Sequence, residues 1–230
     1  MFLKKYQSEE VLVNYAKIRH KFVTTNCQYS LINKELIEVF NIKEGVFLGI
    51  LNLNEYADSF DLTAKRDIET QGKNYLINHL LGREATIDYD EKGKPFLTNE
   101  RKHISISHSH DKLAIIVNEK EATGIDIELI RDKVLKIKHK FLSSSELADS
   151  NDNVEKLLIY WAAKETLYKI YGLKEVDFIE HLFVKPFTKH NLGTIIGEIK
   201  LPNFTESFDL NYQIIEDYVL VYALNKINAC

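Results

Sequence analysis

Apolar residues fall along this chain in short branched runs separated by two long stretches of helical spacing. Gly45 to Leu51 is a β-like run, and the spacing from about Ala64 to Leu81 predicts a helix closed by Gly82 at a C-cap position. Lys112 to Val117 and Gly124 to Ile130 are again rich in branched residues. The polar turn Asn118 to Ala122 between them predicts a hairpin. Ser143 and Glu146 have capping-box spacing and open a helix through Leu147; Val154 to Ile170 predicts a second helix, ended by Gly172. Tyr218 to Asn225 returns to strand, ending the second half much as Leu113 to Asn118 ends the first. That parallel hints at a doubled α+β unit. No short repeat, low-complexity block or Gly/Ser/Pro linker interrupts the pattern, so any division falls at a turn.

Composition narrows the class. A chain of 230 residues, 45% hydrophobic and 28% charged, has enough material for one sizeable core or two small ones. The 30 basic against 34 acidic residues give a net charge of −4, which supplies no overall field for coating nucleic acid. Cys27 and Cys230 are too few for a disulfide framework and wrongly spaced for a zinc cluster, which points to the reducing cytoplasm. Met1 to Glu10 lacks the apolar core of a signal peptide, and no stretch approaches a membrane span, so neither export nor membrane insertion is expected.

Three features carry candidate chemistry. In the strand-like Gly124 to Ile130, alternation puts Ile125, Ile127 and Leu129 on one side and Asp126 and Glu128 on the other. Two carboxylates about 7 Å apart at the backbone suit one hard cation, magnesium rather than zinc. An ordinary half-exposed acidic strand face has the same pattern. In the helix after Val154, Leu158, Trp161, Glu165 and Tyr168 share a face, so Glu165 sits within an apolar stripe and needs a cation or a charged hydrogen bond. Lys169, four residues on, is its nearest intrahelical partner, and the bland alternative is a surface Glu-Lys pair with Lys164 simply solvated. Finally, Ile104 to His110 alternates hydroxyls and imidazoles at the end of a strand, and Gly93-Lys94-Pro95 supplies a tight turn beside a cation. No Gly-x-Ser-x-Gly elbow accompanies the serines, so a hydrolase triad is disfavoured.

Taken in order, Gly93 to Leu97, Ile104 to Ser109, Gly124 to Glu128, Phe141 to Glu146 and Trp161 to Lys169 resemble the signature of the 4′-phosphopantetheinyl transferases. The whole length resembles their monomeric, surfactin-synthetase-activating type. The resemblance implies an α+β fold of two similar halves packed with pseudo-twofold symmetry, here 1–122 and 123–230, the second carrying the metal ligands. It implies transfer of the phosphopantetheine arm of coenzyme A to a serine of an acyl or peptidyl carrier protein, releasing adenosine 3′,5′-bisphosphate. Asp126, Glu128 and Glu165 would then hold Mg²⁺ against the pyrophosphate. Glu165 would also accept the serine proton, and Lys169 would neutralise phosphate oxygens. His108 would donate to the pyrophosphate, Ser107 would sit beside the nucleotide, and Gly93, Lys94 and Pro95 would line the adenine pocket. Thr166 and His110 depart mildly from the family pattern, where serine and glycine are frequent.

The first 90 residues match only loosely, and Lys65, Arg66 and Lys73 are candidates for the 3′-phosphate of coenzyme A or simply a solvated basic helix face. A family carrier presents an acidic helix, so the basic run Arg131, Lys133, Lys136, Lys138, His139 and Lys140, interleaved with Val134, Leu135 and Ile137, is the expected docking surface. The expectation is therefore a cytoplasmic, monomeric enzyme without nucleic-acid or membrane partners, and with a role in pathways such as fatty acid biosynthesis. Its rivals are another Mg²⁺-dependent phosphotransferase or nucleotide phosphohydrolase, which can use the same three carboxylates, and a non-catalytic binding module.

Overall fold

The computed structural model describes residues 36–173 and 176–227. Met1 to Glu10, Cys27 and Cys230 lie outside the described residues. Strands and helices are mixed, as an α+β protein requires. The elements run β1 (Ile37–Lys43), β2 (Val46–Asn52), α1 (Leu53–Ser59), α2 (Lys65–Leu81), β3 (Ile87–Tyr89), β4 (Pro95–Leu97), β5 (His103–Ser109), β6 (Lys112–Asn118) and β7 (Ile125–Leu129). There follow α3 (Lys133–Ile137) with a 3₁₀ turn over Lys138–Lys140, α4 (Ser144–Ser150), α5 (Val154–Tyr171), β8 (Leu182–Val184), β9 (Leu192–Leu201), β10 (Phe204–Ile215) and β11 (Tyr218–Ile227).

Two antiparallel sheets organise these elements. The first has the order β1-β2-β6-β5, the second β7-β11-β10-β9-β8, and β3 pairs with β4 in a small separate ribbon. Side-chain alternation assigns each face. In β6, Leu113, Ile115 and Val117 join Leu76 and Ile77 of α2 in one apolar cluster, while Ala114 and Ile116 face the other way. There they meet Ile125 and Ile127 of β7 and Leu220 of β11. The continuous apolar run of β6 is the mark of a strand covered on both faces. Val219 and Val221 of β11 turn away from that central layer toward Leu157, Ala163 and Leu167 of α5. The layers therefore run helix, sheet, sheet, helix.

Helix ends follow the sequence signals. Gly82 and Gly172 adopt left-handed φ of 66° and 67° and close α2 and α5, and Ser143 and Glu146 form a reciprocal capping box at α4. The hairpin expected between β6 and β7 does not form. Both edges of β6 are already paired, with β2 and with β5, and β7 pairs instead with β11. The Asn118 side chain does organise a turn, accepting hydrogen bonds from the amides of Lys120 and Glu121. That turn carries the chain out of the first sheet and into the second.

One glycine controls how closely α5 approaches β7. A Cβ on Gly124 would lie 2.4 Å from the Thr166 carbonyl oxygen, backbone that cannot yield without shifting the helix. Gly124→Ala is expected to destabilise the chain by about 2–3 kcal/mol in urea unfolding; an unchanged midpoint would contradict this contact.

Candidate active site

The close contact at Gly124 sets α5 over the acidic face of β7. Asp126 is buried, and its Oδ1 accepts from the Lys169 ammonium (2.7 Å) and the Ser107 hydroxyl (2.7 Å). Lys169 donates also to the Ile125 carbonyl at 2.9 Å. Glu128 is half-buried; Oε1 accepts from the Trp161 indole (2.8 Å) and Oε2 from the Ser109 hydroxyl (3.0 Å). Glu165 is half-buried on the same side of α5 as Trp161 and Tyr168. The intrahelical Glu165–Lys169 pair expected from sequence gives way to a longer-range one, because Asp126 is the more deeply buried carboxylate and takes the ammonium.

The charges on β7 and α5 interact. Burial pushes the Glu165 carboxyl up to about 7, with the charges of Asp126 and Glu128 adding to the effect and Lys169 opposing it. Burial likewise raises Asp126, against the pull of Lys169 and with a further push from Glu128. The three carboxylates therefore feel one another. Asp126 Oδ2 is buried without a hydrogen-bond partner, an oxygen whose desolvation is uncompensated. A set of hard carboxylate oxygens including one such orphan fits a divalent cation such as Mg²⁺. The side chains are coupled rather than gathered: among the described residues no three His, Cys, Asp or Glu side chains converge as a metal cluster.

Lys164 departs from expectation. It is fully buried, not solvated, and its ammonium donates to the Phe141 and Phe178 carbonyls and to Glu146 Oε2, at 2.7, 2.8 and 2.7 Å. Glu146 Oε1 accepts from the Val184 amide, while its Oε2 also accepts from the Ser143 amide and hydroxyl. Removing either charge would leave the other buried and unpaired. The pair clamps α5 to α4 and to the end of β8, which fixes the helix that carries Glu165 and Lys169. The exposed Glu-Lys surface pair considered for this helix is thereby replaced by two buried or half-buried contacts.

The other candidates form a rim. Gly93, with φ of 86°, turns the chain between β3 and β4, and Lys94 donates to the Ile170 carbonyl at the C-terminal end of α5. A pocket of about 120 Å³ lies here, lined by Lys94, Pro95, Phe96, His103 and Thr123 among others. Burial holds the Lys94 ammonium below the usual lysine range, opposed by the charge of Asp90. His108 is exposed on the opposite face of β5 from Ser107, its Nε2 3.6 Å from Glu69 of α2. Exposed Lys65 approaches the same Glu69, at 3.8 Å. Arg66 is exposed, and Lys73 donates to the Tyr89 hydroxyl. The structure thus brings Lys65 and His108 together through a residue that sequence reading passed over, while Ser107 faces the acids instead.

Comparison with known proteins follows the same half of the chain. Residues 122–223 match the model of the 4′-phosphopantetheinyl transferase superfamily. A Haemophilus influenzae protein that carries the provisional name 4′-phosphopantetheinyl transferase is 28% identical over 107 residues, 42% of this chain and 46% of that protein. The chain thus spans less than half the length of that curated relative.

Because Glu165 holds its proton more tightly folded than unfolded, its contribution to stability is fully present below the usual glutamate range and is lost as pH rises through about 7. Glu165→Gln should gain about 2 kcal/mol on the native chain between about pH 4 and about pH 8, less than full linkage because the carboxylate is partly open to solvent. Urea unfolding in a chelator measures this; a constant difference would place the titration elsewhere.

Proposed function

We propose that this chain, whose residues 122–223 match the model of the 4′-phosphopantetheinyl transferase superfamily, transfers the phosphopantetheine arm of coenzyme A to a carrier-protein serine. The observation that carries the proposal is the coupling of Asp126, Glu128 and Glu165 beside Lys169, inside the matching segment. Asp126, Glu128 and Glu165 would hold Mg²⁺, which when bound supplies positive charge to the pyrophosphate. The carrier serine oxygen forms a new bond to the phosphorus bearing the pantetheine arm. The bond from that phosphorus to the bridging oxygen breaks, and adenosine 3′,5′-bisphosphate leaves.

Glu165 would take the serine proton, from its half-buried position on α5 beside the acids of β7. Lys169 would pair with phosphate oxygens from its position beside Asp126. Coenzyme A would lie along the rim, over Gly93, Lys94 and Pro95, the chain at Ser107 and His108, and the basic face of Lys65, Arg66 and Lys73. The two sheets, each with a long helix on its outer face, support a division near 122 into similar halves related by a pseudo-twofold axis. We further propose a cytoplasmic monomer serving a pathway such as fatty acid biosynthesis.

The carrier would dock on the segment after β7. Arg131, Lys133, Lys136, His139 and Lys140 are exposed there around half-buried Leu135 and Ile137, whereas Lys138 is tied to Asp152. Reversing Lys133 and Lys136 to glutamate should raise KM for the carrier about tenfold and leave coenzyme A affinity unchanged. Equal losses of both would move the docking surface elsewhere.

Mass spectrometry of an apo carrier protein incubated with this chain, coenzyme A and Mg²⁺ tests the activity. One phosphopantetheine mass on the carrier serine is expected, and Asp126→Asn and Glu165→Gln should each slow its appearance by about 100-fold or more. Turnover of coenzyme A or another nucleotide without the carrier would instead identify a phosphohydrolase.

A further inference from the structure

The first sheet ends at β5 and the second at β7, and these two edges meet without backbone pairing to each other. Serine side chains fill the seam. The hydroxyls of Ser105, Ser107 and Ser109 accept from the amides of Ile125, Ile127 and Leu129 at 3.1, 3.3 and 3.2 Å. The period of two on β5 matches the period of two on β7, so each serine stands in for a carbonyl that the neighbouring edge would otherwise lack. All three serines are buried.

A hydroxyl that accepts from an amide still has a proton to give. Ser107 gives its proton to Asp126 Oδ1, and Ser109 gives its proton to Glu128 Oε2. Ser105, aligned with Ile125, has no such carboxylate contact among the described residues. We infer that Ser107 and Ser109 are positioning residues, which transmit the register of the first sheet to the carboxylates of the second, fixing which oxygen of Asp126 remains free for a cation and the orientation of the Glu128 carboxylate. With Ser107 and Lys169 on Oδ1, the free oxygen of Asp126 is Oδ2, the buried one without a partner. Partners of this kind around a cation site commonly change its affinity by 10–100-fold when removed. The inference rests on the reading of these acids as the cation site proposed above.

Ser105→Ala separates positioning from mere adhesion. All three alanine variants remove one amide–hydroxyl seam bond and should lower the urea midpoint, while Ser107→Ala and Ser109→Ala remove a carboxylate contact as well. Only Ser107→Ala and Ser109→Ala should weaken Mg²⁺ binding in calorimetry, by about tenfold or more. In chelator, the carboxyl ¹³C resonances of Asp126 and Glu128 should move in the matching variant and stay in place in Ser105→Ala. Ser107→Thr, which keeps the hydroxyl, should restore both readouts and covers the case in which Ser107→Ala does not fold. Equal Mg²⁺ affinity in all variants, or the same loss in Ser105→Ala, overturns the inference. A native chain that binds no Mg²⁺ while the ¹³C shifts behave as described overturns the reading of the site and leaves the serine contacts supported.

Discussion

The approach of α5 to β7 governs the candidate site, because every acidic or basic group in it belongs to one of these two elements. That approach is held open at Gly124, where a Cβ would strike the Thr166 carbonyl, and clamped by the buried Lys164–Glu146 pair behind the helix. Glycine on the strand permits contact; the ion pair, with every ammonium proton used, fixes the helix once contact is made. Glu165 and Lys169 are then carried on a rigid body over Asp126 and Glu128. Sites built on helices and strands hold geometry better than sites on loops.

The electrostatics follow from that geometry. Three carboxylates interact beside Lys169, which pairs with Asp126, and burial raises two of them. The neutral donors Trp161, Ser107 and Ser109 add hydrogen bonds without adding charge. Acceptor oxygens there outnumber donors, an excess that a divalent cation would relieve. Burial is the larger cause of the raised Glu165 carboxyl, and the charges of Asp126 and Glu128 on β7 add to it across the contact between the two elements.

Local features of this fold were legible in the sequence. The ends of α2 and α5 at Gly82 and Gly172, the capping box of Ser143 and Glu146, and the facing of Asp126 and Glu128 away from Ile125 and Ile127 all follow from short-range stereochemistry. The family resemblance pointed to Asp126, Glu128, Glu165 and Lys169; in the structure Lys169 contacts Asp126 directly, and Glu165 is coupled to the other three electrostatically. Long-range pairing was not legible. The turn at Asn118 resembles any hairpin turn, and nothing within reach of it says that β6 is already flanked on both edges. The burial of Lys164 depends on carbonyls at 141 and 178 that spacing along one helix does not reveal. The serines at 105, 107 and 109 carried a readable signal, a period of two in phase with the amides of β7, but its meaning required knowing which strand lies opposite.

Diffraction from crystals containing Mn²⁺ and coenzyme A, with anomalous differences recorded near the manganese edge, addresses the central claim most directly. The account predicts one anomalous peak bounded by Asp126, Glu128 and Glu165 and touching the pyrophosphate. Manganese bound to the pyrophosphate with these three side chains turned away from it, or a peak elsewhere on the chain, would contradict it.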